Sequence, residues 1–246
     1  AHVLSDNPFT TSAFLVFIKL PGGRHPTRAY VDRLRRFNGP LYVRTVASPK
    51  PEWPNFNPDI PQFPPGTEVA LVRRALLVTS AFDLAASPVT ESVQVRVYRQ
   101  VPPWSPANLT KAMMMGSDAA RSWQSFHEFV VSRARLFAGQ SGGLRAIDGA
   151  STDFLTGFST HGVDGFEQGY APHPGPASLT WCSGCHFAPG VYSFNTFAQS
   201  FASDATPPGR LAAMPVPDVL ASAVAWKQKR ADWVLLQRLL RASVVR

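Results

Sequence analysis

In Ser92-Val93-Gln94-Val95-Arg96-Val97-Tyr98, valine recurs at every second position. Successive side chains of an extended chain point to opposite sides. The run therefore predicts a β-strand with Val93, Val95 and Val97 on one face and Gln94, Arg96 and Tyr98 on the other. Upstream, Val69 to Thr79 is mostly β-branched or aliphatic, broken by Arg73-Arg74. It is expected to pair antiparallel with the valine strand across a loop of about ten residues, Ala81 to Thr90. A third apolar run, residues 13–20, is stopped by Pro21-Gly22-Gly23. Thr27 is placed to cap a short helix reaching Arg36, with Tyr30, Leu34 and Phe37 on one side. Between Ser48 and Gly66 frequent prolines preclude a regular ladder. There Trp53, Phe56 and Phe63 are expected to pin a packed loop to the body.

Beyond residue 106 the pattern changes. From Asp118 to about Ala138, Trp123, Phe126, Val130, Ala134 and Phe137 recur at three- and four-residue intervals, which predicts a helix closed by Gly139. Residues 150–177 are rich in glycine and proline and predict irregular structure. A long C-terminal helix is expected from Pro217 to about Ala242, with Asp218 at the positive end of its dipole. Ala223, Trp226, Trp233, Leu236 and Leu240 would share one of its faces. The expected fold class is α+β: an antiparallel, β-rich half (1–106), then a helical and loop-rich half (107–246). Aromatic anchors in the joining segments favour one fused unit, 1–246.

The 246 residues are 45% hydrophobic, enough for a substantial core. The net charge is +8 and the isoelectric point about 10.0. A basic surface favours acidic partners: a redox protein with an acidic surface, anionic lipid headgroups or an acidic envelope polymer. The basic residues are scattered through apolar segments, and no nucleic-acid-binding signature accompanies them, so nucleic acid is not expected. No run approaches the ~20 apolar residues of a transmembrane segment. Residues 1–20 do not read as a secretory signal, although Ala1 would suit the position after a cleaved one.

Trp181-Cys182-Ser183-Gly184-Cys185-His186 holds both cysteines of the chain. C-x-x-C-H is the attachment pattern of a c-type haem. The two thiols add across the porphyrin vinyl groups, and the adjacent imidazole is held where it can ligate the iron. Two other chemistries suit the same residues: a C-x-x-C disulfide or dithiol, and a zinc site completed by histidines. No βαβ alternation supports the former, and His186 lies uncomfortably close to Cys185 for the latter. A sixth ligand would suit electron transfer, and an open distal face would suit binding or activation of a small molecule. Met214, in Ala213-Met214-Pro215, is the first candidate ligand; His161 and His173 follow, then His127. Met113-Met114-Met115 would line a pocket or anchor a loop, while His2 and His25 carry no specific signal.

The motif resembles that of the c-type cytochromes, and Met214-Pro215 is similar to the methionine loop of the small monohaem members. The resemblance implies one covalently attached haem c, thioethers at Cys182 and Cys185, and iron ligation by His186 and Met214. It also implies attachment outside the cytoplasm, in the periplasm or beyond, after removal of a signal peptide. A β-rich body followed by a late motif resembles, in order only, the cytochrome P460 and c′-β group, which implies an open distal face. The expected function is single-electron transfer, alone or within a larger envelope or redox assembly. Trp181, Phe187, Tyr192, Phe194 and Trp226 would bury the haem. A haem enzyme or gas-binding protein, with Arg145 among its polar partners, is one alternative. A structural subunit with zinc or a disulfide at the motif is the other.

Overall fold

The computed structural model describes residues 12–39, 42–43, 55–102, 123–147, 190, 191, 193 and 215–244. Strand β1 (Ser12–Lys19) leads into helix α1 (Arg24–Arg35). The short strands β2 (Tyr42–Val43) and β3 (Asn55–Phe56) pair with each other. The long strands β4 (Thr67–Val78) and β5 (Leu84–Tyr98) form a hairpin, followed by β6 (Gln124–Val131), the short helix α2 (Arg133–Phe137) and β7 (Leu144–Ala146). Helices α3 (Val216–Gln228) and α4 (Ala231–Val244) come last. The main sheet is antiparallel throughout, in the order β1-β4-β5-β6-β7. The α+β class and the antiparallel sheet agree with the sequence expectation.

Several local expectations are corrected, among them the absence of a ladder between Ser48 and Gly66, where β3 pairs with β2 over two residues. The segment expected as one helix from Asp118 to Ala138 contains strand β6, with Arg96 opposite Phe126 and Gln94 opposite Glu128, and among its described residues the helical expectation holds only for α2. The sheet thus continues past residue 106 into the half expected to be helical. The loop expected over Ala81 to Thr90 is a tight turn: Phe82 N–H donates to Thr79 O at 2.9 Å, and β5 already begins at Leu84. Pro88 therefore lies inside a strand. It has no N–H to donate, and the β4–β5 register shifts beside it, around Arg74. The single long C-terminal helix is two helices that break at Lys229-Arg230, with the Lys227 ammonium paired to Asp232 across the break.

Thr27 lies in the first turn of α1 and not at its cap. Its hydroxyl donates to Gly23 O at 2.8 Å and accepts from Leu20 N–H at 2.9 Å, tying the end of β1 to the helix. Gly22 and Gly23 both have φ near 87° (86° and 87°), a region that side-chain-bearing residues adopt only at a cost. Helix α1 then lays Tyr30 and Leu34 on one face of the sheet. They join Leu20, Ile60, Phe63, Val69, Tyr98 and Val191 in one buried cluster. Tyr30 OH donates to Pro61 O at 2.7 Å, so the proline-rich loop is held as well. As expected, Phe63 pins it to the body; Trp53 and the Phe56 side chain lie outside the described residues.

Candidate functional site

The valine strand buries its polar side. Ser92, Gln94, Arg96 and Tyr98 are all buried, whereas Val93, Val95 and Val97 are half-exposed. Antiparallel partners point the same way, so β6 adds Gln124, Phe126, Glu128 and Val130 to this buried face. The cause is the covering layer: α1 and the loop at 57–63 pack on the face that carries Val69 and Tyr98. Polar side chains buried with them lose their water and depend on partners within the protein.

Arg96 sits at the centre and is 2% exposed. Its Nη1 donates to Ser193 Oγ at 2.6 Å and, more weakly, to Gln124 Oε1 at 3.5 Å. Its guanidinium carbon lies 4.7 Å from the centroid of the Phe126 ring, within cation–π range. One row along, Gln94 Nε2 donates to Glu128 Oε1 at 3.1 Å, and Glu128 is 1% exposed. Ser193 comes from far along the chain, seven residues past His186. Its neighbour Val191 is fully buried, and Val191 N–H donates to Gln62 Oε1 at 2.6 Å. Gln62 Oε1 also accepts from Phe63 N–H at 2.8 Å. Gly190 has φ 59°, and a Cβ there would come within 2.1 Å of Gln62 Oε1. Only glycine lets the chain approach so closely.

Tyr98 is buried beside Arg96 and Ser193. Burial pushes its hydroxyl above the ordinary value of 10.0, and the positive charge of Arg96 and the polar contact with Ser193 offset part of that rise. The unfolded chain releases this proton near pH 10, while the folded chain holds it to higher pH. Tyr98 therefore contributes stability below about pH 10 that is lost as pH climbs through the folded value. Tyr98→Phe is expected to lose less stability than the parent chain between pH 9 and 11. Urea titrations of both proteins across that range check this, and parallel losses would refute it.

Cys182, Cys185, His186 and Met214 lie outside the described residues, as do His161, His173, Trp181, Phe187, Tyr192, Phe194 and the methionines at 113–115. His127 is exposed on β6, on the valine side of the sheet, and His25 is exposed on α1. Arg145 is half-buried on β7. Trp226 is exposed on α3, with the Arg230 guanidinium 5.3 Å from its ring centroid. Among the described residues no three His, Cys, Asp or Glu side chains gather as a metal site. No described helix is long and apolar enough to cross a membrane. The polar row around Arg96 was missed in the sequence, although the alternation of Gln94, Arg96 and Tyr98 was its visible trace.

No protein-family model, curated protein sequence or solved structure matches this chain.

Proposed function

We propose that the chain is a monohaem c-type cytochrome-like protein that transfers single electrons outside the cytoplasm. Cys182 and Cys185 would form the two thioethers, and His186 would ligate the iron, with Met214 as its sixth ligand. One observation carries the reading: the only two cysteines of the chain stand in Cys182-Ser183-Gly184-Cys185-His186. The bound group would supply the redox couple. The chain's part is to hold it, to set its potential through axial ligands and apolar burial, and to exclude water.

The net charge of +8 suits an acidic redox partner or a larger assembly.

The test is an absorption spectrum of the protein, expressed with haem-attachment machinery, together with a pyridine haemochrome assay. The expected result is one covalent haem c per chain, absent when both Cys182 and Cys185 are replaced by alanine. A colourless protein, or one that carries zinc, would defeat the proposal. Failure of the reduced protein to bind carbon monoxide is expected of a six-coordinate carrier. Rapid binding would transfer the assignment to a haem enzyme or gas-binding protein.

A further inference from the structure

The last helix presents apolar side chains on two opposite sides. On its inner side Trp233 is buried, and Gln237 Nε2 reaches Phe82 O at 3.4 Å. With 3.6 residues per turn, Leu235, Leu239 and Ala242 fall on the opposite side. Leu235 is 59% exposed and Leu239 60%, and Val234 and Leu236 flank them, also exposed. An outward leucine ridge on a helix already anchored by its other face adds nothing to the core.

Basic side chains outnumber acidic ones in the two C-terminal helices. Residues 215–244 contain five basic side chains (Lys227, Lys229, Arg230, Arg238 and Arg241) and two acidic ones (Asp218 and Asp232). Asp232 is engaged by Lys227. Arg238 and Arg241 are exposed on one flank of the helix, between the ridge and the inner side, and neither forms an ion pair among the described residues. From this juxtaposition we infer that α4 docks the protein on the headgroup layer of an anionic lipid bilayer, lying in the plane of the interface. Leu235 and Leu239 enter the acyl boundary, while Arg238 and Arg241 engage the phosphates. A second copy fits poorly, because joining two ridges would bring four like-charged arginines together. A lipid surface needs only apolar depth and positive charge, and the ridge offers both without any directional polar group. The net charge of +8 favours the same surface.

The full chain is to be titrated with phosphatidylglycerol vesicles and with phosphatidylcholine vesicles, and the bound fraction read by sedimentation. Binding to the anionic vesicles is expected to be at least about tenfold tighter, from about 1 kcal/mol for each arginine at the surface. The double variant Leu235→Gln, Leu239→Gln should lose about a hundredfold in affinity, roughly tenfold per leucine withdrawn from the acyl layer. Arg238→Gln with Arg241→Gln should remove most of the preference for anionic lipid and leave circular dichroism unchanged. Absence of vesicle binding by the parent chain would overturn the inference, as would binding that survives the leucine replacements. A parent dimer that the leucine pair converts to monomer, without vesicle affinity, would overturn it in favour of a second copy. Vesicle-independent binding to an acidic protein would overturn it in favour of that partner.

Discussion

Phe63→Ala is expected to lower the unfolding free energy by about 4 kcal/mol. Phe63 is 2% exposed, and its ring centroid lies 5.2 Å from that of Tyr30 and 5.3 Å from that of Tyr98. It is therefore the shared contact of α1, the proline-rich loop and the sheet. Truncation removes its apolar surface from the core and leaves a cavity that its neighbours cannot fill. Tyr30 is held by its bond to Pro61 O, and Tyr98 is fixed by strand pairing to Thr67 and Gln124 on either side. Urea unfolding should show a lower midpoint at an unchanged slope. A loss below about 1 kcal/mol would mean that this cluster is not the core that holds the fold.

Arg96→Ala is the second large effect, at about 3 kcal/mol. A hydrogen bond from a buried charged donor contributes about 1.5–3 kcal/mol, and the stacking on Phe126 about 1 kcal/mol. The replacement also leaves Ser193 Oγ and Gln124 Oε1 to find new partners in a buried site. Lysine should not rescue the loss, because an ammonium cannot lie flat on Phe126 while it reaches Ser193. Hydrogen exchange separates this role from a general loss of packing. In the variant, the amides of Val191 and Ser193 should exchange much faster than those of β4 and β5. Uniform acceleration would show that Arg96 supports the sheet and not the segment that crosses it.

Much of the sheet was legible because β1, β4 and β5 obey simple rules. Residues 13–20 form an uninterrupted apolar run before Pro21-Gly22-Gly23, and the observed strand is Ser12–Lys19. Strand β4 is as plainly β-branched. Strand β6 was hidden, because its buried positions include Gln124 and Glu128. With polar residues inside, the remaining apolar positions, Trp123, Phe126 and Val130, happen to match helical spacing. The break between α3 and α4 was equally unreadable, since Lys229-Arg230 contains neither glycine nor proline. In the candidate site, the alternation of Gln94, Arg96 and Tyr98 was visible, but which side faced inward was not. That choice depends on a layer contributed by α1, the loop at 57–63 and Val191, all distant in sequence. The polar pairs also fix register. A slip of one residue would turn the valines inward and strand Arg96 at the surface, so Gln94–Glu128 and Arg96–Gln124 select the observed pairing over an apolar rival.

The contacts of Val191 and Ser193 also set an order of events. Ser193 lies 97 residues from Arg96, and Val191 lies 129 residues from Gln62. Closing loops of that length costs about 4 kcal/mol of chain entropy before any contact repays it. The β4–β5 hairpin closes across a few residues and bears almost none of this cost. The contacts of Gly190, Val191 and Ser193 therefore form after the strands they fasten. In refolding, amides of the β4–β5 hairpin should gain protection before those of Val191 and Ser193, since the hairpin does not wait for a long loop to close.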